Sequence, residues 1–301
     1  MEGFEMGKVK VLTARQAADL IKDGDTVTLS GFVANGIVEA LNAAAEERFL
    51  ETGHPKDLTL FWVAGTGNKD GSHADHYAHE GMVKKVIGGH FNFVPKICEM
   101  LSENKIEGYN VPQGAIAQML RDNAAHKVGT ISHVGIGTFA DPRNGGGRLS
   151  EKTKEDIVKV IELEGQEQLF YPRIPLDVAF IRGTYADELG NITLEKEMAP
   201  LDATSQAMAV HNNGGLVVVQ VERVVKAGHL DPKLVKIPGI YVDAVVECPA
   251  DDPKQSQSIN CTYDPAYAGN TQVPVSSLEP KKLDAKKIIG RRAAMELKKN
   301  V

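Results

Sequence analysis

Residues 25–41 read DTVTLSGFVANGIVEAL. Val27 and Leu29 alternate with Thr26, Thr28 and Ser30, the period-two pattern of a strand. Gly31 breaks that pattern and Gly36 follows five residues later. From Ile37 the apolar positions take a helical spacing that runs to about Leu50. A strand, a glycine-containing elbow and a helix make half of a βαβ unit. Such an elbow brings backbone N–H groups and the positive end of a helix to the carboxyl edge of a sheet, a place suited to an anionic or carbonyl oxygen.

The same rhythm repeats along the chain. Thr13 caps an expected helix through Lys22. Strands are expected at residues 58–63, 83–87 and 106–110, then 157–163, 168–171, 178–181, 216–221 and 241–246. Helices are expected at 94–104, 113–125 and 202–213. Repeated strand–loop–helix units predict an α/β fold, a doubly wound and mostly parallel sheet with helices on both faces. The glycine-rich stretch GIGTFADPRNGGGRL, residues 135–149, reads as a long functional loop or a mobile one.

The chain has 301 residues and a net charge of −6, with 34 basic against 40 acidic side chains. No basic face stands out, which argues against nucleic acid. No run of 18 apolar residues would cross a membrane, and MEGFEMGKVK lacks the apolar core of an export signal. Cys98, Cys248 and Cys261 are odd in number and share no ligand spacing. That fits a reducing cytoplasm and no zinc site.

Three organisational units are expected. Residues 1–247 form an α/β domain. Residues 248–284, with five prolines and no periodicity, read as an extended linker. Residues 285–301 form an amphipathic helix whose pattern echoes TARQAADLIKDGDTV near the start, so they read as the first helix of a second domain that is otherwise absent.

Long stretches carry a family resemblance: DGDTVTLSGFVANGIVEAL, HEGMVKKVIGGH, ENKIEGYNVPQG, GIGTFADPRNGGG and FIRGTYADELGNIT among them. With these the chain resembles the N-terminal, α half of the family I CoA-transferases, in the propionate/acetate branch. The resemblance implies transfer of CoA from a short-chain acyl-CoA to a free carboxylate through a glutamyl-CoA intermediate. CoA is then a substrate, and no tightly bound cofactor is expected. It puts the catalytic glutamate in the β half, outside this chain, so no catalytic residue is assigned here. Partners are a glutamate-bearing half or second polypeptide, in a homo- or hetero-oligomer.

The resemblance also implies site residues. Gly31, Phe32, Val33, Ala34 and Asn35 would face the acyl group, with Phe32 and Val38 at apolar positions. Gln113, followed by Gly114, would hydrogen-bond a substrate carboxylate. Gly65, Thr66 and Gly67 are weaker candidates for lining the acyl site. Glu103, in Ser-Glu-Asn, imitates a β-half motif but reads as an exposed helix end. His73, His76 and His79 have i, i+3, i+6 spacing, yet no metal is assigned and they are expected in solvent. The alternative is a sugar-phosphate isomerase-like or metabolite-sensing domain, whose elbow would bind a phosphorylated metabolite without turnover. YNVPQG favours the transferase.

Overall fold

The computed structural model describes residues 7–299. Eight strands form its central sheet: β1 (Lys10–Leu12), β2 (Thr26–Leu29), β3 (Leu58–Trp62), β4 (Val83–Gly88), β5 (Glu107–Asn110), β6 (Val178–Arg182), β7 (Leu216–Val221) and β8 (Ala244–Glu247). Their order is β1-β8-β7-β6-β2-β3-β4-β5 and every pairing is parallel. The chain leaves β2 towards β5, then returns to place β6 on the other side of β2. The carboxyl end of β2 is therefore the point where the strand order reverses. In open α/β sheets ligands bind at such a point.

Both faces of the sheet are covered. In β6, Val178 and Phe180 join one core while Ala179 and Ile181 join the other. One core includes helices α1 (Ala14–Ala18), α2 (Glu39–Thr52) and α3 (Pro95–Ser102). The opposite core includes α4 (Gln113–Ala124) and α5 (Ala203–Asn212). Strands buried on both faces are apolar over most of their length, which explains the run of valines in LVVVQV of β7.

Two further sheets lie outside the main one. Strands at Gly129–Ser132, Gln166–Pro172 and Lys159–Leu163 form an antiparallel sheet. Short strands at Tyr185–Asp187, Ile192–Thr193, Arg223–Val225 and Val235–Ile237 form another. Six of these seven strands are only two to five residues long; the sequence reading recovered only those at 159–163 and 166–172.

Element ends differ from expectation in small ways. Thr13 does cap α1, with a capping box closed by Gln16, but the helix ends at Ala18. Helix α2 begins at Glu39 and ends at Thr52, where Gly53 takes a left-handed φ of 72°. The stretch at 135–149 is folded back and tied down. The buried Asp141 carboxylate accepts from the Gly137 and Arg143 amides, and the Asn110 amide donates to the Gly147 carbonyl at 2.7 Å.

Residues 248–284 hold only short 3₁₀ turns at Pro253–Gln255 and Val275–Ser277. Their first part packs on the domain: Gln255 and Gln257 are buried. Helix α6 (Ala285–Ala294) is capped by Asp284 and has no buried residue among those described. No helix among the described residues is long and apolar enough to cross a membrane.

Candidate active site

The elbow after β2 is built from its own hydrogen bonds. The Ser30 hydroxyl donates to the Gly36 carbonyl at 2.6 Å and closes the turn. Gly31 has a φ of 132°, and a Cβ there would lie 2.3 Å from Ile37 Cδ1. Only glycine meets both demands. Val33 has a φ of 56°, a conformation that a β-branched residue adopts only under constraint. Here the constraint is visible. The Val33 amide donates to the Gly65 carbonyl, and its own carbonyl accepts from the Gly67 amide at 3.0 Å.

Those bonds bring the main and the weaker candidates together. Gly31–Asn35 follows β2, and Gly65–Gly67 follows β3, its neighbour in the sheet. A Cβ on Gly67 would lie 2.2 Å from the Phe93 carbonyl oxygen, so the loop after β4 is packed against the second loop in turn. A Cβ on Gly89 would meet the Val63 carbonyl at 2.2 Å and Gln113 Cβ at 3.1 Å. Four successive strand ends thus form one continuous rim from the elbow to Gln113.

Gln113 is the first residue of α4, exposed, after Pro112. Its side chain makes no hydrogen bond among the described residues and does not cap the helix. Gly114 beside it is open, with nothing near its missing Cβ. Phe32 is 43% exposed at the tip of the elbow. Val38 is not at the rim: it is fully buried in the core beside Leu41, because it immediately precedes α2.

The elbow's free donors are fewer than a bare count of amides would give. Phe32 and Asn35 donate to each other's carbonyls, and Val33 donates to Gly65. Within residues 31–35, the Gly31 and Ala34 amides have no protein acceptor.

A cleft of about 650 Å³ opens beside the elbow. Ala34, Ile37 and Glu39 form one wall, Asn68, Asp70 and His73 another, and residues 253–262 a third, with Lys254 and Cys261 among them. The third wall comes from the stretch that reads as a linker in the sequence.

The three histidines are not in solvent. His73 is buried, His76 and His79 are half-buried, and all three face carboxylates of α2. His76 Nε2 lies 2.7 Å from Glu39 Oε1 and its Nδ1 contacts Glu46; His79 Nε2 lies 2.6 Å from Glu46 Oε1. His73 Nδ1 is 2.9 Å from Glu39 Oε2 but badly oriented, so it has no hydrogen-bond partner. The segment His73–Tyr77 is a short 3₁₀ turn, not an α-helix, which removes the shared face that the spacing suggested. No group among the described residues is arranged to hold a metal. Burial alone would raise the Glu39 carboxyl, but the His73 and His76 side chains beside it bring it down to about 2. Burial would lower His76, yet Glu39 and Glu46 hold it above its ordinary value. These are opposite faces of one charge pairing.

Glu103 stands at the end of α3, exposed and 2.8 Å from Lys105. Helix α3 runs from the carboxyl edge of the sheet to its amino edge, so Glu103 lies across the molecule from the elbow.

Sequence reading missed a buried ion pair. Arg182 Nε lies 3.1 Å from Glu197 Oε1, with both side chains 3% exposed. Burial pushes the Glu197 carboxyl up although Arg182 opposes it, and its Oε2 has no partner. A charged residue ending an apolar strand, FIR, was the available signal.

The coenzyme A transferase family model matches residues 11–248. The chain belongs to the coenzyme A transferase family. Acetate CoA-transferase YdiF of Escherichia coli K12 is 41% identical over 296 residues, 97% of this chain and 55% of that protein. Caffeate CoA-transferase of Acetobacterium woodii is 40% identical over 290 residues, 96% of this chain and 55% of that protein. The crystal structure of YdiF apoenzyme from E. coli O157:H7 superposes with a TM-score of 0.89 at 39% identity, again over 97% of this chain and 55% of that one. This chain thus spans about half the length of those relatives. The α/β fold and the family read from the sequence are both as expected.

Proposed function

We propose that this chain is the N-terminal half of an enzyme that moves CoA between a short-chain acyl-CoA and a free carboxylate. The nucleophile is a glutamate in a β half outside this chain. Its carboxylate attacks the thioester carbonyl and expels the CoA thiolate, leaving a mixed anhydride. The thiolate attacks the glutamyl carbonyl of the anhydride, which releases the donor acid and leaves a glutamyl-CoA thioester. The acceptor carboxylate then repeats the two steps in reverse and leaves as its CoA thioester. Covalent catalysis divides one difficult exchange into two easier ones.

The observation that carries the reading is the elbow at the reversal point of the sheet. Its unused Gly31 and Ala34 amides suit the oxyanion of each tetrahedral intermediate. Gln113, exposed and without an internal partner, suits a carboxylate of donor or acceptor. A neutral amide holds such an anion without the full ion pair that would blunt its nucleophilicity. YdiF and the caffeate enzyme are named for acetate and caffeate, so acetyl-CoA with propionate is the pair to try first.

The experiment is an acetyl-CoA and propionate exchange assay run beside intact-mass measurement. The 32.5 kDa chain alone is expected to form no propionyl-CoA, and exchange should appear when a glutamate-bearing half is supplied. Exchange by the 32.5 kDa chain alone would overturn the placement of the nucleophile and make Glu39, the glutamate in the cleft wall, the first residue to replace.

A further inference from the structure

Two strand residues tie opposite walls of the cleft to the sheet. Arg182 ends β6, and Gln220 is its register partner in β7. Both are buried. Arg182 Nη1 donates to the Ile37 carbonyl at 3.0 Å and the Ser256 carbonyl at 3.3 Å, and Nη2 donates to the Gln255 carbonyl at 2.7 Å. Gln220 accepts at Oε1 from the Ala40 amide at 3.1 Å. Its Nε2 donates to the Lys254 carbonyl at 2.9 Å and Gln255 Oε1 at 2.7 Å. Ile37 and Ala40 lie where the elbow enters α2, and Lys254 to Ser256 belong to the facing wall. Each of the two side chains therefore holds both walls at once.

We infer that Arg182 and Gln220 are positioning residues that fix the width of the cleft and the attitude of the elbow. The Gly65–Gly67 loop holds the left-handed Val33 from one side of the elbow, and Arg182 and Gln220 hold its exit into α2 from the other. The Arg182 amide also donates to Ser30 Oγ, the group that closes the turn. The guanidinium is a rigid fork of five donors, so the spacing of the carbonyls it holds follows from its own geometry. Lysine would keep the charge opposite Glu197 but would not span both walls. The Gln220 amide has one acceptor and two donors, and each side serves a different wall.

The reading concerns the site proposed above, and the test has one arm that does not depend on CoA chemistry. Arg182→Lys and Gln220→Met are made in this chain and compared by amide hydrogen exchange. Exchange is expected to quicken about tenfold in residues 31–40 and 253–258, the loss of one or two buried hydrogen bonds, while the amides of β7 stay protected. Unchanged exchange in both segments, or a rise spread evenly through the sheet, would overturn the inference. If Arg182→Lys fails to fold, Gln220→Met gives the same comparison. In the second arm the variants are assayed with the glutamate-bearing half. Here kcat should fall about tenfold while KM for the acyl-CoA changes less than about threefold, because a displaced donor is felt at the transition state. An unchanged kcat would count against positioning. Should the unsubstituted protein show no CoA exchange, the proposed function fails while the amide-exchange arm still decides this inference.

Discussion

The Gly67 amide donates to the Val33 carbonyl at 3.0 Å, and so locks the loop after β3 onto the elbow after β2. The bond depends on Gly67 lying flat against Phe93, with no room for a side chain. Gly67→Ala is therefore expected to cost about 2 kcal/mol, the usual cost of forcing atoms into a packed site. CoA exchange should fall with it, because the elbow moves. Gly114→Ala is the control: its Cβ would meet nothing, its φ is ordinary, and it sits in the first turn of α4. It should be neutral or stabilising by about 0.5 kcal/mol. Thermal or urea unfolding of both variants checks the contrast.

The pairing of Glu39 with His76 makes stability depend on pH in a definite way. Glu39 falls from an ordinary 4.5 to about 2, so its contribution is present above pH 4.5 and disappears as pH drops towards 2. His76 is raised above 6.5, so its contribution is complete below pH 6.5 and is lost as pH climbs through the raised value. Unfolding measured from pH 3 to 9 should show this part of the stability greatest between about 4.5 and 6.5. In His76→Gln the decline on the alkaline side should flatten. An unaltered profile would refute the assignment.

Glu197 faces Arg182 in a buried setting, so the two substitutions at this position should differ. Glu197→Gln keeps an oxygen to accept from Nε and should cost about 1 kcal/mol, the loss of charge on one hydrogen bond. Glu197→Leu leaves the guanidinium buried beside carbonyls alone and should cost about 3 kcal/mol. Denaturant midpoints measure both. Equal losses would mean that the ion pair contributes nothing beyond packing.

Gln113 is expected to separate function from folding. Its side chain is exposed and unbonded, so Gln113→Ala should leave the melting temperature within about 1 °C, as surface replacements usually do. In the reconstituted exchange assay, kcat/KM for the free acid should fall about tenfold, the value of one hydrogen bond to a charged group. Full activity in this variant would remove Gln113 from the site.

The main sheet was legible because its signals are local. Alternation in DTVTL, continuous apolar runs in LTLFW and LVVVQV, and helical spacing after Ile37 and Gln113 each follow from burial on one or two faces. Edge strand β1 and five of the seven strands of the two small sheets were not, because two to four residues do not show a period. The elbow itself was legible as a break at Gly31 followed by a helix.

What the amino-acid order determined by itself is therefore the strand–elbow–helix rhythm, the parallel α/β fold it implies and the family. The tertiary structure decided everything that depends on residues far apart in the chain. It turned three evenly spaced histidines into partners of Glu39 and Glu46. It used up three of the elbow's amides and left Gly31 and Ala34. It folded residues 253–262 into a wall of the cleft, held from Arg182 and Gln220. Hydrogen bonds and ion pairs across 30 to 180 residues leave no periodic trace, since each partner answers to its own neighbours and meets the other only when the sheet has formed.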